Sequence, residues 1–508
     1  MKITNVIQAI DQVAQTAPDR VAYDYLGETH TYQELKSYSD ALANQIAQMK
    51  LEPQAPIMVY GEQTFEMIAS FLGCVKSGHA YIPIDEHSPN DRLTMIQEIA
   101  KPAACIAIEQ LPIEINKIPV IRSEKLAQIF RRTELKETWT PVVGNQNFYI
   151  IFTSGTTGKP KGVQISHQNL LSFVNWMLSD FNLQNKPAFL AQAPYSFDLS
   201  VMSLYPTLVS GGTLKVLPKK ITDDFKRLFS YLPKMKLNVW VSTPSFVDIC
   251  LLEPSFDAKH LPDLSHFLFC GEELTHKTAA QLNQRFPEAR VFNTYGPTET
   301  TVAVTAVQIT PKILTNYDRL PIGQAKVDTK IEIMSSNGKV LPNGEEGEIV
   351  ISGPGVSKGY LNNPRKTVNA FHCEGNLNTY HSGDLGKKDK SGMIRYLGRL
   401  DFQIKLHGYR IELEEVNHFL NAQKLIKQAV AVPKYDLNHK VSQLVAYVTL
   451  QKKSLEETNM ALTMAIKKDL QKTMMPYMVP NRFVFKDKLP LTANGKVDIK
   501  SIMSEVNS

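Results

Sequence analysis

The feature that most constrains the fold is an alternation of helical and strand patterns between about residues 30 and 310. TYQELKSYSDALANQIA has helical spacing and PIMVYG is strand-like, whereas EMIASFLGCVKSG is helical again and AYIPI returns to a strand. Such alternation is typical of α/β units around a mainly parallel sheet. We therefore predict the α/β class, with a large N-terminal domain built of α/β sheet subdomains.

The pattern changes twice further along the chain. Between about residues 310 and 400 it consists of short β-rich pieces, such as GEIVISG, separated by Gly, Asn and Pro turns. From residue 402 onward a smaller α+β pattern follows. We predict an N-terminal core domain of residues 1–400, which includes a β-rich subdomain, and a small α+β domain of residues 401–508.

Composition and cysteine usage exclude several classes of protein. Of the 508 residues, 43% are hydrophobic and 21% are charged, which is typical of globular proteins. No window approaches the roughly 20 apolar residues needed to cross a bilayer. The cysteines are odd in number and never form a CxxC pair, which argues against a zinc site and for a reducing cytosol. We expect a cytoplasmic protein that is not membrane-spanning, with the four cysteines other than Cys270 as inert small hydrophobes: Cys74, Cys105, Cys250 and Cys373.

The net charge of +6 is concentrated near the C-terminus. Residues 401–508 carry 16 Lys and Arg against 11 Asp and Glu. A solvated lysine-rich surface explains this excess as well as a docking face for an acidic partner does. No dense basic stripe with interleaved aromatic residues is present, so we expect no nucleic acid as a partner.

The stretch IFTSGTTGKPKG, residues 151–162, combines hydroxyls, glycines and two lysines directly after an apolar run. It is not a Walker A motif, because Thr153 holds the place of the first glycine and Pro160 follows Lys159. Its backbone N–H groups, hydroxyls and lysines can still wrap a triphosphate. A plain polar hairpin is the alternative interpretation.

Four further stretches carry residues suited to nucleotide chemistry. In NTYGPTETT, Tyr295 can stack on a base, and Glu299 offers a carboxylate to Mg²⁺, a hard cation that prefers oxygen ligands. YHSGDLG offers a carboxylate that could accept both ribose hydroxyls, and two later stretches, YLGRLDFQIKLHGYR and LPLTANGKVD, are rich in cationic side chains. The residues of interest in these last three stretches are Asp384, Arg399, Lys405, His407, Gly408, Arg410 and Lys496.

Together, in this order and spacing, the five stretches resemble the adenylate-forming family of acyl-CoA synthetases, luciferases and nonribosomal peptide synthetase adenylation domains. The resemblance covers nearly the whole chain. It implies that the loop of residues 151–162 folds over the β- and γ-phosphates of ATP. The positions that it implies for ATP binding are Thr153, Ser154, Gly155, Thr156, Thr157, Gly158, Lys159, Asn293, Thr294, Tyr295, Gly296, Pro297, Thr298, Asp384, Tyr396, Gly398, Arg399 and Lys496.

The same resemblance implies four further roles. Glu299 would bind Mg²⁺, Asp401 would be the hinge of the small domain, and Gly408 would leave room for a pantetheine arm. Lys496 would be the catalytic lysine, in contact with the substrate, that enters the active site for adenylation and leaves it for the second step. The chemistry needs such groups, because a carboxylate and an α-phosphate are both anionic and charge moves onto pyrophosphate. A thiol then attacks the acyl-adenylate after the domain has rotated.

The stretch PYSFDLSVMSLY bears on the substrate class. In the amino-acid-activating branch of the family, an aspartate at the position of Asp198 pairs with the substrate ammonium. A charge-assisted hydrogen bond of this kind contributes about 1.5 to 3 kcal/mol, and a fatty acid would leave the carboxylate unpaired. The alternative role of Asp198 is an N-cap of the helix that begins near Leu199, and the two roles are compatible.

The stretch FLFCGEELTHKTAAQL gives the most specific resemblance. A cysteine directly before GEEL resembles the branch that charges a carrier protein with D-alanine for teichoic acid modification. The resemblance implies that Cys270 lines the pocket and discriminates D- from L-alanine, while Val302 and Met202 line the small side-chain site. An ordinary buried strand cysteine is the alternative. Selection of this kind is modest, roughly 1 to 3 kcal/mol, so we expect a preference for D-alanine rather than absolute exclusion of L-alanine.

These features lead to one prediction and three alternatives. We expect an ATP- and Mg²⁺-dependent ligase that forms D-alanyl-AMP and passes D-alanine to the phosphopantetheine thiol of a carrier protein, for D-alanylation of lipoteichoic acid. No serine-bearing carrier segment such as GGxS is visible, so we expect the carrier in trans. The alternatives are another amino-acid-adenylating enzyme, an acyl-CoA synthetase, and a non-catalytic nucleotide-binding protein on the same fold.

Overall fold

The computed structural model describes residues 2–132, 138–155, 158–374, 377–436, 440–451, 458–491 and 497–507. The chain divides into two compact units. Unit 1 comprises Met1–Glu86, Ile99–Phe152 and Gly162–Gly398. Unit 2 comprises His87–Glu98, Thr153–Lys161 and Arg399–Ser508.

Helices form where apolar residues recur at helical spacing and a polar residue caps the first turn. In α2, Thr31 accepts a hydrogen bond from the backbone N–H of Glu34, whose carboxylate accepts one from the backbone N–H of Thr31. The helices are α1 (Val6–Thr16), α2 (Tyr32–Gln48), α3 (Phe65–Lys76), α4 (Asn90–Ala100), α5 (Ser123–Phe130), α6 (His167–Asp180), α7 (Leu199–Val209), α8 (Lys219–Thr222), α9 (Phe225–Tyr231), α10 (Pro244–Cys250), α11 (His276–Arg285), α12 (Pro311–Asn316), α13 (Pro364–Ala370), α14 (Leu413–Asn421), α15 (Asn459–Leu470) and α16 (Ile499–Asn507), with 3₁₀ turns at Leu232–Met235, Thr298–Thr300 and Pro476–Met478.

Strands form in the short apolar runs between these helices and in the β-rich region that follows them. Several are buried along their whole length, which is typical of strands covered on both faces. The strands are β1 (Val21–Tyr25), β2 (Glu28–Thr31), β3 (Ile57–Tyr60), β4 (Tyr81–Ile84), β5 (Ala104–Ala107), β6 (Val120–Arg122), β7 (Asn147–Thr153), β8 (Lys161–Ser166), β9 (Ala188–Ala191), β10 (Thr213–Val216), β11 (Val239–Ser242), β12 (His266–Phe269), β13 (Arg290–Tyr295), β14 (Thr305–Gln308), β15 (Gln324–Ala325), β16 (Lys330–Met334), β17 (Gly347–Ser352), β18 (Phe371–Glu374), β19 (Leu377–Lys388), β20 (Ile394–Arg399), β21 (Gln403–Leu406), β22 (Tyr409–Glu412), β23 (Ile426–Tyr435), β24 (Val441–Leu450) and β25 (Arg482–Phe485).

Two of the sheets in unit 1 are mainly parallel. One has the order β6-β5-β3-β4-β7-β8, and its pairs β6/β5, β5/β3, β3/β4 and β4/β7 are parallel. The other has nine strands in the order β15-β14-β13-β12-β11-β9-β10-β1-β2, parallel from β13 to β1 and antiparallel at both edges. The prediction of α/β sheet subdomains is confirmed.

A third sheet in unit 1 is the predicted β-rich subdomain. It has the order β16-β17-β19-β18, with β20 also paired to β19, and its pairs β16/β17, β17/β19 and β18/β19 are antiparallel. Its core includes Ile349, Ile351 and Tyr380 from the sheet together with Tyr295 of the nine-stranded sheet and Val304, which directly precedes β14. This shared core brings the end of β13 next to β19, which carries Asp384.

Unit 2 contains an α+β layer structure. The sheet β23-β24-β25 alternates its side chains between two cores. Ala429 and Ala431 face the core that holds α14 and α15, whereas Val430 and Val432 face the core that holds Ile502 of α16. In the part of the chain that the structure describes, no helix is long and apolar enough to cross a membrane.

Candidate active site

Three predicted site residues follow the carboxyl ends of parallel strands of the nine-stranded sheet. Asp198 comes after β9, Cys270 directly follows β12, and Gly296 directly follows β13. The carboxyl ends of parallel strands meet at one edge of a sheet, and ligands of open α/β sheets bind outside that edge. The topology therefore collects residues that are far apart in sequence.

The predicted specificity pocket is apolar and buried. Met202, Cys270 and Val302 all belong to one hydrophobic cluster, and each is less than 5% exposed. The Cys270 thiol donates to the backbone oxygen of Val302 at 3.6 Å. The structure therefore places Cys270 against Val302, and it places Met202 in the same large hydrophobic cluster.

Asp198 lies at the N-cap position of α7, but its side chain makes no capping hydrogen bond. The capping role that the sequence left open is therefore not formed by this carboxylate. The negative charge of Asp198 acts on Tyr149, whose pKa is raised first by burial, then by Tyr81 and by Asp198. The Tyr149 hydroxyl is buried and, among the residues described, has no hydrogen-bond partner. No motif in the sequence singles out this tyrosine, since it lies inside an apolar strand.

Tyr295 and Asp384 form the centre of the predicted nucleotide site in unit 1. The Tyr295 hydroxyl donates to the carboxylate of Asp384, and both side chains are buried. Burial and the charge of Asp384 raise the pKa of Tyr295 well above its ordinary value. Tyr396 lies nearby, with its ring centroid 6.3 Å from that of Tyr295. The phenol remains protonated and holds the carboxylate in one position.

The side chains of the two residues before Tyr295 donate hydrogen bonds to backbone oxygens. Asn293 donates through its amide nitrogen to the backbone oxygen of Pro321 at 2.8 Å, and the Thr294 hydroxyl donates to that of Phe269 at 2.8 Å. Their ATP-binding role stays a prediction, and these bonds show that both side chains also fix the end of β13.

Glycine at position 296 is required by a close approach of backbone. A Cβ there would lie 2.6 Å from the Cα of Ala303 and 2.8 Å from the oxygen of Val302. Pro297 follows, and Thr298 begins a single 3₁₀ turn that ends at Thr300. The GPT stretch thus forms the tight bend that follows β13.

Glu299 is fully buried, and its carboxylate accepts a hydrogen bond from the Tyr360 hydroxyl at 2.8 Å. The backbone N–H of Ser357 donates to the backbone oxygen of Glu299 at 2.9 Å. Within the described ranges, Glu299 lies in no group of three or more metal-ligating side chains. A single fixed carboxylate fits Mg²⁺, which proteins commonly bind through one or two carboxylates together with substrate phosphates. The contribution of Tyr360 had no signal in the sequence.

The phosphate loop of unit 2 lies between β7 and β8, and Thr156 and Thr157 fall outside the described residues. The Gly155 N–H donates to Oε2 of Glu415 at 2.9 Å, and the Ser154 hydroxyl donates to the oxygen of Arg410 at 2.9 Å. The Thr153 hydroxyl is buried without a hydrogen-bond partner in the described part of the chain. A loop whose backbone N–H holds a carboxylate can also donate to an anionic phosphate.

The charge around this loop is mixed. Burial raises the pKa of Glu415, against the lowering effects of Arg92 and of the Gly155 N–H. Lys161 lies 3.5 Å from a carboxylate oxygen of Glu412. Gly158 has a left-handed φ of +74°, and Lys159 is exposed. Glu412 and Glu415 therefore contribute two acidic groups beside the loop, which the sequence analysis did not anticipate.

Arg399 and Asp401 of unit 2 form a bidentate ion pair. The two guanidinium nitrogens Nε and Nη2 lie 2.8 and 2.6 Å from the carboxylate oxygens. Burial opposes ionisation of Asp401, but the hydrogen bond and charge of Arg399 lower the pKa of Asp401 overall. The sequence assigned these residues separate roles, at the ribose and at the hinge, and did not anticipate their pairing.

The remaining predicted positions have local explanations. Gly408 has φ +83° and forms, with His407 at φ +51°, the two-residue turn between β21 and β22, a geometry that favours glycine. Gly398 has φ +140°. Lys496 lies outside the described residues. Of the four cysteines expected to be inert small hydrophobes, those at 74, 105 and 250 are buried, whereas Cys373 is exposed on β18.

Two family models match the chain. The AMP-binding enzyme model matches residues 10–361, and the model of the AMP-binding enzyme C-terminal domain matches residues 415–496. Together they cover the α/β subdomains, part of the β-rich subdomain and most of the smaller α+β structure.

Individual proteins give the same result. A D-alanine–D-alanyl carrier protein ligase from Lactiplantibacillus plantarum is 63% identical over 506 residues, covering 99% of each chain. A ligase of the same name from Lacticaseibacillus casei is 57% identical over 506 residues, covering 99% of this chain and 100% of that one. A solved Vibrio cholerae adenylation domain in complex with glycyl-adenosine-5'-phosphate has the same fold, with a TM-score of 0.84 at 24% identity over 99% of this chain and 98% of that one. The chain therefore belongs to the AMP-binding enzyme family and, within it, to the group of sequences that contains the D-alanine–D-alanyl carrier protein ligases.

Proposed function

We propose that this chain is an ATP-dependent ligase that activates D-alanine as D-alanyl-AMP and transfers it to the phosphopantetheine thiol of a D-alanyl carrier protein, for D-alanylation of lipoteichoic acid. The observation that carries the proposal is the 63% identity over 506 residues to a ligase of that name, together with the buried contact between Cys270 and Val302. A methyl side chain beside these buried apolar groups would displace less of the core than a long acyl chain.

Asp198 would supply the selectivity for an amino acid. It is half-buried at the N-cap position of α7, after the carboxyl end of β9, and its carboxylate would pair with the substrate ammonium. A carboxylic acid without the amino group would remove that partner and leave a charge unpaired, which costs several-fold to a hundredfold in affinity.

ATP would be bound by the phosphate loop, by the segment from Asn293 to Thr298, and by Asp384. The buried acceptor of Asp384, already fixed by Tyr295, is suited to a ribose hydroxyl. Mg²⁺ would be held by Glu299 together with the phosphates, and when bound it supplies positive charge for the pyrophosphate that leaves. Glu299 is fixed for this purpose by Tyr360.

Lys496 is proposed as the catalytic lysine. A cation at the developing negative charge lowers the barrier for attack of the alanine carboxylate on the α-phosphate. Its placement on the small domain would allow it to be withdrawn when the thiol attacks, with Asp401 as the proposed hinge and Gly408 beside the pantetheine arm. Residues 1–400 and 401–508 remain our proposed domains.

The carrier is proposed to act in trans, and the excess of Lys and Arg in residues 401–508 fits an acidic partner. We further propose a cytoplasmic location. All five cysteines are free of disulfides, as is usual for proteins of a reducing compartment.

ATP–pyrophosphate exchange tests this proposal. The purified chain is assayed with Mg²⁺ and, in parallel, D-alanine, L-alanine, glycine, D-serine and a short fatty acid. We expect D-alanine to give the highest kcat/KM, and the Lys496→Ala variant to lose nearly all exchange while still binding ATP. Preference for another amino acid would replace D-alanine as the substrate, and preference for the fatty acid would favour an acyl-CoA synthetase. Exchange with none of them would favour a non-catalytic nucleotide-binding protein.

A further inference from the structure

The segment after Glu299 contains two consecutive residues in an unusual backbone conformation. Thr301 has φ +64° and Val302 has φ +68°, and both are at most 1% exposed. Both are β-branched, and such residues rarely adopt left-handed φ because Cβ then crowds the backbone. Strain of this kind persists only where the surrounding structure holds it, and it is concentrated at functional sites.

The strained turn determines where the backbone oxygen of Val302 points. That oxygen accepts the Cys270 thiol hydrogen bond at 3.6 Å. It also lies 2.8 Å from the position that a Cβ at residue 296 would take, so the glycine there leaves room for it. The conformation of the turn therefore determines the shape of the pocket around Cys270.

A side-chain hydrogen bond from Thr301 ties this turn to the segment around Gly355. The Thr301 hydroxyl donates to the backbone oxygen of Gly355 at 2.7 Å, in a buried environment. Gly355 lies in a segment that is itself fixed, because Asn169 donates through its amide nitrogen to the backbone oxygens of Pro354 and Val356 at 2.7 and 3.0 Å. Asn169 belongs to the capping box of α6 and is itself buried.

The metal-binding side of the same segment has separate anchors. The Glu299 carboxylate is held by Tyr360 and its backbone oxygen by the N–H of Ser357. Loss of the Thr301 hydroxyl would therefore release the turn at Val302 more than it would move Glu299. We therefore expect this loss to change the KM for alanine more than the KM for ATP.

We propose that Thr301 is a positioning residue for the alanine site: its hydroxyl bond to Gly355 holds the left-handed turn that sets Val302 against Cys270. The inference rests on the proposed function, because it assigns the pocket of Met202, Cys270 and Val302 to the amino acid. Thr301 itself affects the alanine site by fixing the position of Val302.

The test compares substitutions at position 301 in the full-length enzyme. Thr301→Val keeps the shape and removes the hydroxyl, whereas Thr301→Ser keeps the hydroxyl. Thr213→Val is the matched control, since the Thr213 hydroxyl donates to the backbone oxygen of Val21 at 2.8 Å in another part of unit 1. Thr301→Gly serves if the valine variant does not fold, because glycine adopts left-handed φ without strain.

Pyrophosphate exchange gives KM for D-alanine, L-alanine and ATP separately. We expect Thr301→Val and Thr301→Gly to raise KM for D-alanine about tenfold and to lower the D:L ratio of kcat/KM, while KM for ATP changes less than about twofold. Thr301→Ser should restore both alanine values to near those of the wild type. Thr213→Val should lower thermal stability without changing any of the three KM values.

Two kinds of failure are distinguishable. A wild-type enzyme that does not activate D-alanine refutes the proposed function, and the Thr301 variants are then compared on the amino acid that it does activate. An unchanged amino-acid KM in Thr301→Val, an equal rise in the KM for ATP, or no recovery in Thr301→Ser refutes the positioning role.

Discussion

The hydroxyl of Tyr295 donates a hydrogen bond to the carboxylate of Asp384, across the boundary between the nine-stranded sheet and the β-rich sheet. Tyr295 ends β13 and Asp384 lies in the middle of β19, so the bond depends on the shared core of the two sheets. It fixes the acceptor proposed to bind ribose before any nucleotide arrives. Such preorganisation reduces the entropy lost on binding.

Removal of this bond should weaken ATP binding. Tyr295→Phe keeps the ring and leaves the buried Asp384 carboxylate without one of its donors, so we expect KM for ATP to rise about tenfold while KM for D-alanine changes little. Tyr317→Phe is the control, because the Tyr317 hydroxyl donates to Asp389 at 2.6 Å on the same unit. Equal effects of the two substitutions on KM for ATP would contradict the assignment.

Asp198→Asn should act on the amino acid. The substitution keeps the size of the side chain and removes the charge proposed to pair with the ammonium. A charge-assisted hydrogen bond contributes about 1.5 to 3 kcal/mol, so KM for D-alanine should rise about 10- to 100-fold with KM for ATP nearly constant. Asp248→Asn, which alters an acceptor of Thr278 elsewhere in unit 1, should leave both values unchanged. A wild-type KM for D-alanine in Asp198→Asn would remove the proposed contact.

Cys270→Ala should change chiral preference. The smaller side chain opens space beside Val302, so we expect the L:D ratio of kcat/KM to rise about tenfold, within the roughly 1 to 3 kcal/mol of such steric selection. Cys250→Ala removes an equally buried thiol from a different core cluster and should cost stability without altering the ratio. An unchanged ratio in Cys270→Ala would show that selection between enantiomers lies elsewhere.

Ionisation of Glu86 should lower the stability of the folded protein at alkaline pH. Burial, followed by the hydrogen bond and charge of Glu62, raises the pKa of Glu86 to about 8. Between the ordinary glutamate pKa of 4.5 and about pH 8, Glu86 therefore keeps its proton in the folded state and loses it in the unfolded state. The free energy of unfolding falls as the pH rises through this window. Glu86→Gln cannot ionise, so its thermal midpoint should exceed that of the wild type at about pH 9 and match it at about pH 4.

The control for this effect is Glu288→Gln, which replaces an exposed glutamate. It should leave the difference in thermal midpoint between the two pH values as in the wild type. A Glu86→Gln variant with the same pH dependence as the wild type would show that a neighbouring carboxyl, such as that of Glu62, holds the proton instead.

Local sequence patterns predicted the parts of the molecule that depend on local chemistry. The alternation of helix and strand patterns gave the α/β class, and Ser166, a residue type that favours helix N-termini, is the N-cap of α6. The grouping of Met202, Cys270 and Val302 came from a family resemblance and stays a prediction, although Cys270 and Val302 are in contact. Apolar periodicity and capping residues are readable because they act within a few residues.

Features that depend on distant neighbours were not predictable. The left-handed turn at Thr301 contains two β-branched residues, which favour extended backbone, so the turn depends on the bond to Gly355 and on contacts with residues distant in sequence, such as Cys270. The Tyr149 hydroxyl, which has no hydrogen-bond partner among the residues described, lies in an apolar strand that gives no polar signal. The exposure of Cys373 on β18 likewise has no signal in the sequence.

Transfer of alanine to a carrier thiol tests the central claim most directly. The purified chain is incubated with Mg²⁺, ATP, D-alanine and a phosphopantetheinylated D-alanyl carrier protein, and the intact mass of the carrier is measured. The account predicts an ATP-dependent gain of one alanyl group, absent with the unmodified carrier and with the Lys496→Ala enzyme, and slower with L-alanine. No gain on the carrier, while coenzyme A becomes alanylated or another acid is activated, would contradict it.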